Sequence, residues 1–504
     1  MDSRNRYTDD YVLGIDIGTT SVKTVLLSRE GIVDEASRPH DLVSLHPGWA
    51  EEDADIWWEN TKACLRELTG RDPERAAKIR CIGCSGMVPA IVLLDRDGHP
   101  VRKTIQQNDA RSTAQIERLL SELDQDALFE RTGGRTNQQH VLPRLLWVKE
   151  NEPEVWARVC RVMGSYDYIS CQLTGAQSLE VNWAVESGSF DIRTREWMDE
   201  TLRPYGLDAS LFPPVHMPMD VIGETRAECA ALGLAPGIPV IAGSADHVAS
   251  TLAAGIINPG DLLIKFGGAG DILYCTDRIA TDPRLFFDYH DVPERYLLNG
   301  CMAASGSLVK WFVHDIIQAE DPGIFRQLDL EAEKVPAASD GLIILPYFLG
   351  EKTPVFDPQA RGVMVGLTLS HTKAHIFRAI LESVIYGFRH HIDVLAEAGF
   401  VPENIIATNG GAKSRFWCQI AADVLGRPVT SYRNHPGSSL GIAFLAGMKA
   451  GLFQRWEEIR GCLPEAHHFE PDPENCRIYD HSYRIYRELY PTLKDTFDSI
   501  GKIC

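Results

Sequence analysis

The chain has 504 residues, 44% of them hydrophobic and 24% charged. That is too long for one ordinary core, so two large domains are expected in an otherwise ordinary globular protein. A formal net charge of −20 argues against nucleic acid and anionic membrane surfaces as partners, and no apolar run approaches the roughly 20 residues that a bilayer span needs.

Met1 to Asp10 is polar and lacks an apolar stretch, so no signal peptide is expected. Twelve cysteines are scattered along the chain, which fits reduced thiols in a cytoplasmic protein. Val12 to Leu27 reads as an apolar run, a Gly-rich turn and a second apolar run, the pattern of a β-hairpin. Asp16 sits in the turn region and is followed by Gly18, Thr19 and Thr20. Gly18 permits a tight turn, and two hydroxyls with backbone N–H groups can donate to phosphate oxygens. Lys23 is a cation close enough to serve the same site. A carboxylate beside phosphates is repulsive unless a cation intervenes, so Asp16 implies Mg²⁺, held through water. The competing reading is a surface hairpin with a polar turn; acid, hydroxyls and base together favour the phosphate site.

Trp57-Trp58 is read as packing. Cys81-Ile-Gly-Cys84 falls in an expected strand from Ile79 to Cys84, where residues three apart face opposite ways, so buried thiols are expected and not a redox or zinc pair. Ile91 to Leu94 reads as a strand and Asp95 to Gly98 as its turn; Ile116 to Leu120 opens a helical pattern and Arg144 to Glu150 another. Pro239 to Ala242 is a short buried strand, and His247 to Gly255 a helix of small residues. Asp246 stands where that helix begins, at the carboxyl end of a strand, where α/β proteins place their sites. A carboxylate there can take a proton from an attacking hydroxyl, typically worth about 10²–10⁴ in rate. It can equally be a helix N-cap, and position alone leaves both open. Asn258-Pro-Gly260 breaks the pattern, dividing the chain into domains 10–256 and 257–504.

Leu262 to Cys275 repeats the hairpin pattern, with Gly267, Gly268 and Gly270 in its turn. Two such hairpins facing each other would clamp ATP. Ile376 to Ala398 has helical periodicity, and His390-His391 within it lacks a third ligand at metal spacing. Gly410-Gly411-Ala412 lies between a strand, Ile405 to Thr408, and a helix. Glycines there let a flat ring or a phosphate approach the backbone, although a plain tight turn needs them too. Gly437 to Gly441 repeats that pattern. A helical pattern from His481 to Ile500 is expected to break or kink at Pro491. Alternating strands and helices argue α/β, and one hairpin opening each half suggests the actin/hexokinase-like architecture.

Taken together these stretches resemble the FGGY carbohydrate kinases over most of the chain. Gly14-Ile-Asp-Ile-Gly-Thr-Thr-Ser-Val-Lys23 is similar to that family's first phosphate motif, and Gly48 to Asp53 with Trp57-Trp58 to its early Trp-containing segment. Asn108, Asp109 and Arg111 match its substrate-side Asn-Asp-x-Arg. Leu345 to Pro354 and Gly362 to Glu382 resemble its C-terminal signature, the most specific match. The resemblance implies two ribonuclease-H-like α/β domains flanking a nucleotide and sugar cleft that closes around both substrates. It also implies ATP-dependent phosphorylation of a sugar or polyol hydroxyl. It makes Asp246 the general base and a substrate contact, and Asp16 the Mg-site acid. Gly410, Gly411 and Ala412 would line the adenine pocket, and a homodimer is compatible with it.

The spacing looks nearest to xylulose kinases, with two departures. Those enzymes show Ser-Gly-Gln-Met-His where this chain has Ser85-Gly86-Met87-Val88-Pro89, so Val88 and Pro89 offer no imidazole to a sugar. The family's second hairpin usually reads Gly-Thr-Ser-Gly; here it is Gly267-Gly268-Ala269-Gly270, without either hydroxyl. Lys265 is a candidate to compensate. The expected activity is therefore phosphorylation of a ketopentose such as D-xylulose. A kinase for another ketose or a polyol (erythritol, glycerol, ribulose) is the alternative. The lost hydroxyls motivate a third reading, a non-catalytic sugar sensor.

Overall fold

The computed structural model describes residues 10–321, 323–432 and 435–502. In chain order the elements used below are strands β1 (Tyr11–Ile17), β2 (Ser21–Ser28) and β3 (Gly31–Pro39), helix α1 (Ala54–Arg71), strands β4 (Ile79–Gly86), β5 (Val221–Glu224) and β6 (Pro239–Ile241), and helix α2 (Asp246–Ala253). There follow β7 (Asp261–Phe266), β8 (Gly270–Thr276), β9 (Tyr296–Met302), α3 (Gly306–Trp311), α4 (Lys373–Glu397), β10 (Asn404–Thr408) and α5 (Arg415–Leu425). The chain ends with β11 (Val429–Tyr432), α6 (Ser438–Ala450), β12 (Ala466–Phe469) and α7 (Pro473–Ile500).

These elements form two compact units. The first takes the described residues up to Ile257 together with Phe287–Tyr296 and Pro436–Leu463; the second takes Asn258–Phe286, Leu297–His435 and the residues from Pro464 onward. The chain thus leaves the first unit beside the Asn258-Pro-Gly260 break and returns to it twice.

The first unit is built on a sheet of order β5-β6-β4-β1-β2-β3. β1 and β2 form the antiparallel hairpin, while β1–β4 and β4–β6 are parallel. Val12, Leu13, Ile15 and Ile17 of β1 are all fully buried. A strand flanked by helices is expected to be apolar on both faces. Helix α6 lies directly on β1 and β4, and glycine is what allows it: a Cβ at Gly14 would meet Ser439 O at 2.7 Å, and one at Gly83 would meet Ile442 Cγ1 at 2.9 Å. Helices α2 and α6 touch just as closely, since a Cβ at Gly441 would fall 1.9 Å from Ala249 O.

The second unit repeats the plan. Its main sheet contains, in order, β9-β8-β7-β10-β11-β12. Here β7–β8 is the antiparallel hairpin, and β7–β10 and β10–β11 are parallel. Helix α4 supplies the centre of the core through Phe377, Ile380, Leu381, Val384, Ile385 and Phe388, all essentially buried.

Most expected elements appear with shifted ends. The helical pattern at Ile116 belongs to a helix that already begins at Thr113, and that at Arg144 to Val141–Asn151. The last helix differs more. It starts at Pro473, eight residues before His481, and continues through Pro491 without a break. A mid-helix proline costs about 3 kcal/mol. Packing on both sides of it offsets this cost: Tyr486 and Phe497 are buried, and the Tyr490 hydroxyl donates to Asp357 Oδ2 at 2.7 Å. Cys81 and Cys84 are both buried in β4 as free thiols. Among the described residues no helix is long and apolar enough to cross a membrane.

Candidate active site

In the first unit, Asp16 stands near the carboxyl end of β1. Its cross-strand neighbours are Lys23 on β2 and Ser85 on β4. Both carboxylate oxygens are engaged: Ser85 Oγ donates to Oδ1 and Ser438 Oγ to Oδ2, each at 2.7 Å. Ser438 arrives from the first turn of α6, the helix laid on β1. Burial pushes the Asp16 carboxyl up to about 6 against those two hydrogen bonds, and the nearby charge of Asp246 pushes the same way. Lys23 sends its ammonium to Glu35, 2.9 Å away, and acts on Asp16 only as a nearby charge.

The turn itself is fixed from behind. Gly18 N–H donates to Ser21 O and His40 N–H to Thr20 O. The His40 ring reaches Gly18 O at 3.0 Å and Glu52 at 3.2 Å. Trp57, fully buried, donates to the same Glu52, so the Trp pair begins as packing that braces the hairpin. Thr19 and Thr20 are exposed at the tip.

Asp246 is brought to this site by strand geometry. Ser244 and Ala245 pair in parallel with Ser85 and Gly86 of β4. Asp16, Ser85 and Asp246 therefore stand at the carboxyl ends of adjacent chain segments, the edge where open α/β sheets bind ligands. Asp246 is the first residue of α2, and its side chain is 37% exposed. Its side chain makes no cap hydrogen bond; the N-cap is Ala245, itself without one. The helix-capping reading of this aspartate is thus not what the structure shows.

The residues expected on the substrate side form a neighbouring network. Met87, Val88 and Pro89 are buried, with a cis peptide between Val88 and Pro89. Asn108 is exposed, whereas Asp109 is fully buried and accepts from Ala50 N–H at 2.6 Å. Arg111 clasps Asp109 through Nε and Nη2, meets Glu51 at 2.7 Å, and lies over the Trp49 ring at 3.8 Å. Arg144, wholly buried, ties Pro89 to the segment just before Asn108 by donating to Pro89 O and Gln107 O, and it also donates to the carbonyls of Gln138 and Gln139. Asp109 and Arg111 thus have their charges spent on one another and on Glu51, and they shape a wall.

The second unit contains a cavity of about 890 Å³. Gly267, Gly268, Gly410 and Gly411 line it, with Phe266, Phe377 and Trp417 as its apolar faces and Lys310, Asp329 and Asn409 among its polar groups. A Cβ at Gly411 would fall 2.5 Å from the Trp417 ring, so glycine is required there. The turn of this hairpin is pinned by its carbonyls: Gly267 O accepts from Gly306 N–H, and Gly268 O from the N–H groups of Ser305 and Ser307. Gly270 and Ala412, expected among the nucleotide contacts, do not line the cavity. Gly270 is buried against Phe388 and Ser305, and Ala412 is turned into the core. Lys265 lies 3.8 Å from Asp271 on the opposite strand, so its charge is already partly answered.

The model of the FGGY carbohydrate kinase N-terminal domain matches residues 11–253, and that of the C-terminal domain matches residues 284–450. The chain belongs to the FGGY family of carbohydrate kinases. Among its relatives, the xylulose kinase of Bacillus subtilis (strain 168) is 31% identical over 490 residues, 96% of this chain and 97% of that protein. The gluconokinase of the same strain is 26% identical over 504 residues, 97% of this chain and 98% of that protein. The crystal structure of a xylulose kinase from Rhodospirillum rubrum is similar at 43% identity, with a TM-score of 0.93 over 97% of this chain and 100% of that one.

As an FGGY kinase the protein is an ATP-dependent sugar or polyol phosphotransferase with two ribonuclease-H-like α/β domains. Sequence reading points to Asp16 of the first hairpin and to the glycines of the second, of which Gly267 and Gly268 line the cavity. It missed His40, which braces the turn from the end of the next strand, and Ser438 and Arg144. It also missed His247, whose imidazole lies between Asp246 and the buried Asp288. Only the Ser438 segment carries a signal, the Gly437 to Gly441 turn, which the residues alone leave open between a close approach of a ligand and a plain tight turn.

Proposed function

We propose that this kinase phosphorylates a ketopentose such as D-xylulose, with Asp246 as the general base. The observation that carries the reading is the placement of Asp246 beside Asp16, half-buried and outside the helix cap, at the carboxyl edge of the first sheet. The acceptor's hydroxyl oxygen bonds to the γ-phosphorus, its proton passes to Asp246, and the bond to the bridging oxygen breaks to release ADP. Thr19 and Thr20 offer phosphate donors on the turn that Gly18 closes, with Lys23 as a nearby positive charge; Gly267, Gly268, Gly410 and Gly411 offer a wall with no side chains to the nucleotide. The ketopentose itself is supported by likeness to proteins named xylulose kinase at 31% and 43% identity.

Asp16 fits a Mg²⁺ ion held through water. Its carboxyl carries a burial cost and a neighbouring acid, both of which a cation relieves. Among the described residues no group of three acidic, histidine or cysteine side chains could grip a metal directly. When bound, Mg²⁺ would neutralise phosphate charge. Ser85 and Ser438 orient Asp16 toward it.

A specific observation favours a second reading, a different ketose or a polyol: Val88-Pro89 is buried and offers no ring donor. The deciding experiment is coupled ADP release with ATP and Mg²⁺ against ketopentoses, ketohexoses and polyols. A dominant rate with D-xylulose that is lost in Asp246→Ala is expected. A dominant rate with another acceptor moves the substrate and keeps the base. Survival of turnover in Asp246→Ala removes the base. Thermal stabilisation by a sugar without turnover would return the sensor reading.

A further inference from the structure

We propose that His247 is a positioning residue for Asp246, held in place by Asp288; this rests on Asp246 being the base. His247 is the second residue of α2. Its Nδ1 lies 3.6 Å from Asp246 Oδ1 and its Nε2 lies 3.3 Å from Asp288 Oδ2. The imidazole thus bridges the exposed acid and a wholly buried one.

Asp288 comes from Phe287–Tyr296, the strap that returns to the first unit. The strap is anchored at the two residues that follow Asp288. Asn182 Nδ2 donates to Tyr289 O at 3.0 Å, and Tyr289 N–H donates to Asn182 Oδ1 at 2.7 Å. The His290 ring meets Ile256 O at 3.0 Å. A buried carboxylate on a fixed backbone is a rigid reference point for the ring.

Three acids face the imidazole: Asp246 from its own helix, and Asp288 and Asp291 from the strap. Burial alone would lower the imidazole's proton affinity, yet the charges of Asp288 and Asp246 raise it well above the usual histidine value. Asp291, also buried, is pushed up to about 7 by that burial, with the His247 charge working against it. A doubly protonated ring can donate toward Asp246 and Asp288 at once. Asp246 Oδ1 is the oxygen turned to the ring, so the acceptor's proton is taken on Oδ2. The ring thus orients the base, and the acceptor's hydroxyl remains the nucleophile that attacks the phosphorus.

The test is a double-mutant cycle on the full-length enzyme, read as kcat and KM for ATP and for the best acceptor. Asp246→Asn is expected to lower kcat by about 10² or more. His247→Gln is expected to lower kcat about tenfold with both KM values within about twofold, and to change kcat less than about twofold when Asp246 is already Asn. Asp288→Asn, which keeps the shape and removes the charge, should reproduce the His247→Gln loss of kcat. It stands in should His247→Gln fail to fold. An equal His247→Gln loss in both backgrounds, or a loss confined to acceptor KM, overturns the proposal, because the ring would then act on the substrate itself. Wild-type kcat in Asp246→Asn removes the base assignment, a different failure from either of those.

Discussion

The two hairpins share a topology and divide the chemistry. In the proposed function the working groups of β1–β2 are side chains: Asp16, its two serine donors, and the exposed Thr19 and Thr20. In β7–β8 they have been removed. Gly267 and Gly268 turn their carbonyls into the first residues of α3 and leave a bare backbone against the cavity. The same fold element therefore serves once as a charged tool and once as a smooth wall. A turn that must hold a cation needs an acid with its own donors. A turn that must admit a flat ring or a phosphate needs the absence of a Cβ.

The sharpest way to break this contrast is Asp16→Asn. Turnover is expected to fall about 10²-fold or more, because the acid proposed to hold Mg²⁺ beside the phosphates is lost; single-turnover kinetics at saturating Mg²⁺ read it. Wild-type turnover would make the first hairpin a mere support like the second.

The same substitution carries an opposite effect on stability. The Asp16 carboxyl is raised from 3.8 to about 6 in the folded protein. The native state therefore holds a proton that the unfolded chain has already released across that window. Stability falls as pH rises through it and stays lower above it. Without Mg²⁺, Asp16→Asn should be more stable than wild type by about 1–3 kcal/mol at pH 8 and no more stable near pH 3. Denaturant titrations at the two pH values test this, and added Mg²⁺ should narrow the gap by stabilising only the wild type.

On the other side, Gly411→Ala places a Cβ 2.6 Å from Phe266 Cβ as well as against Trp417. A cost of about 1–3 kcal/mol in stability, with a raised KM for ATP, is expected from melting curves and steady-state rates. Gly410→Ala meets nothing within 4 Å, so its melting temperature should match wild type and only KM for ATP should rise, modestly. The smallest effect should come from restoring chemistry. Gly268→Ser also meets open space and should raise kcat/KM for ATP by up to about tenfold. No gain, or a loss, would show that this turn works best bare.

Much of this was legible in the residues. The alternation of apolar runs and glycine turns gives both hairpins, since each run has to be buried and each turn needs its backbone freedom. Asp16, Gly267 and Gly268 stand out from that pattern, whereas Gly410 and Gly411 are left open by it and gain a nucleotide role only from the family resemblance. Asp246 is undecided by pattern, because an acid that opens a helix looks the same whether it caps or catalyses; the pairing of Ser244 and Ala245 with β4 resolves where it stands. Asp288 is not legible at all, and Ser438 is legible only as part of the Gly437 to Gly441 turn, whose role the residues leave open. Nothing local marks a serine 422 residues from the acid it serves, nor an aspartate on a strap whose function depends on the chain crossing back. Pro491 misleads for a related reason: propensity is local, and the tyrosines that hold the helix across it come from its tertiary packing.

The late return of α6 has a consequence for biosynthesis. This helix covers Gly14 and Gly83, on β1 and β4, and supplies Ser438 to Asp16. A ribosome finishing residue 257 has made the whole first sheet, but the helix that seals one of its apolar faces lies nearly two hundred residues downstream in the sequence. Until then the nascent sheet presents Val12 and its neighbours uncovered, the kind of surface that chaperones bind and that aggregates when released early. The first half of the chain is thus a matched family domain by sequence and yet an unfinished object during translation.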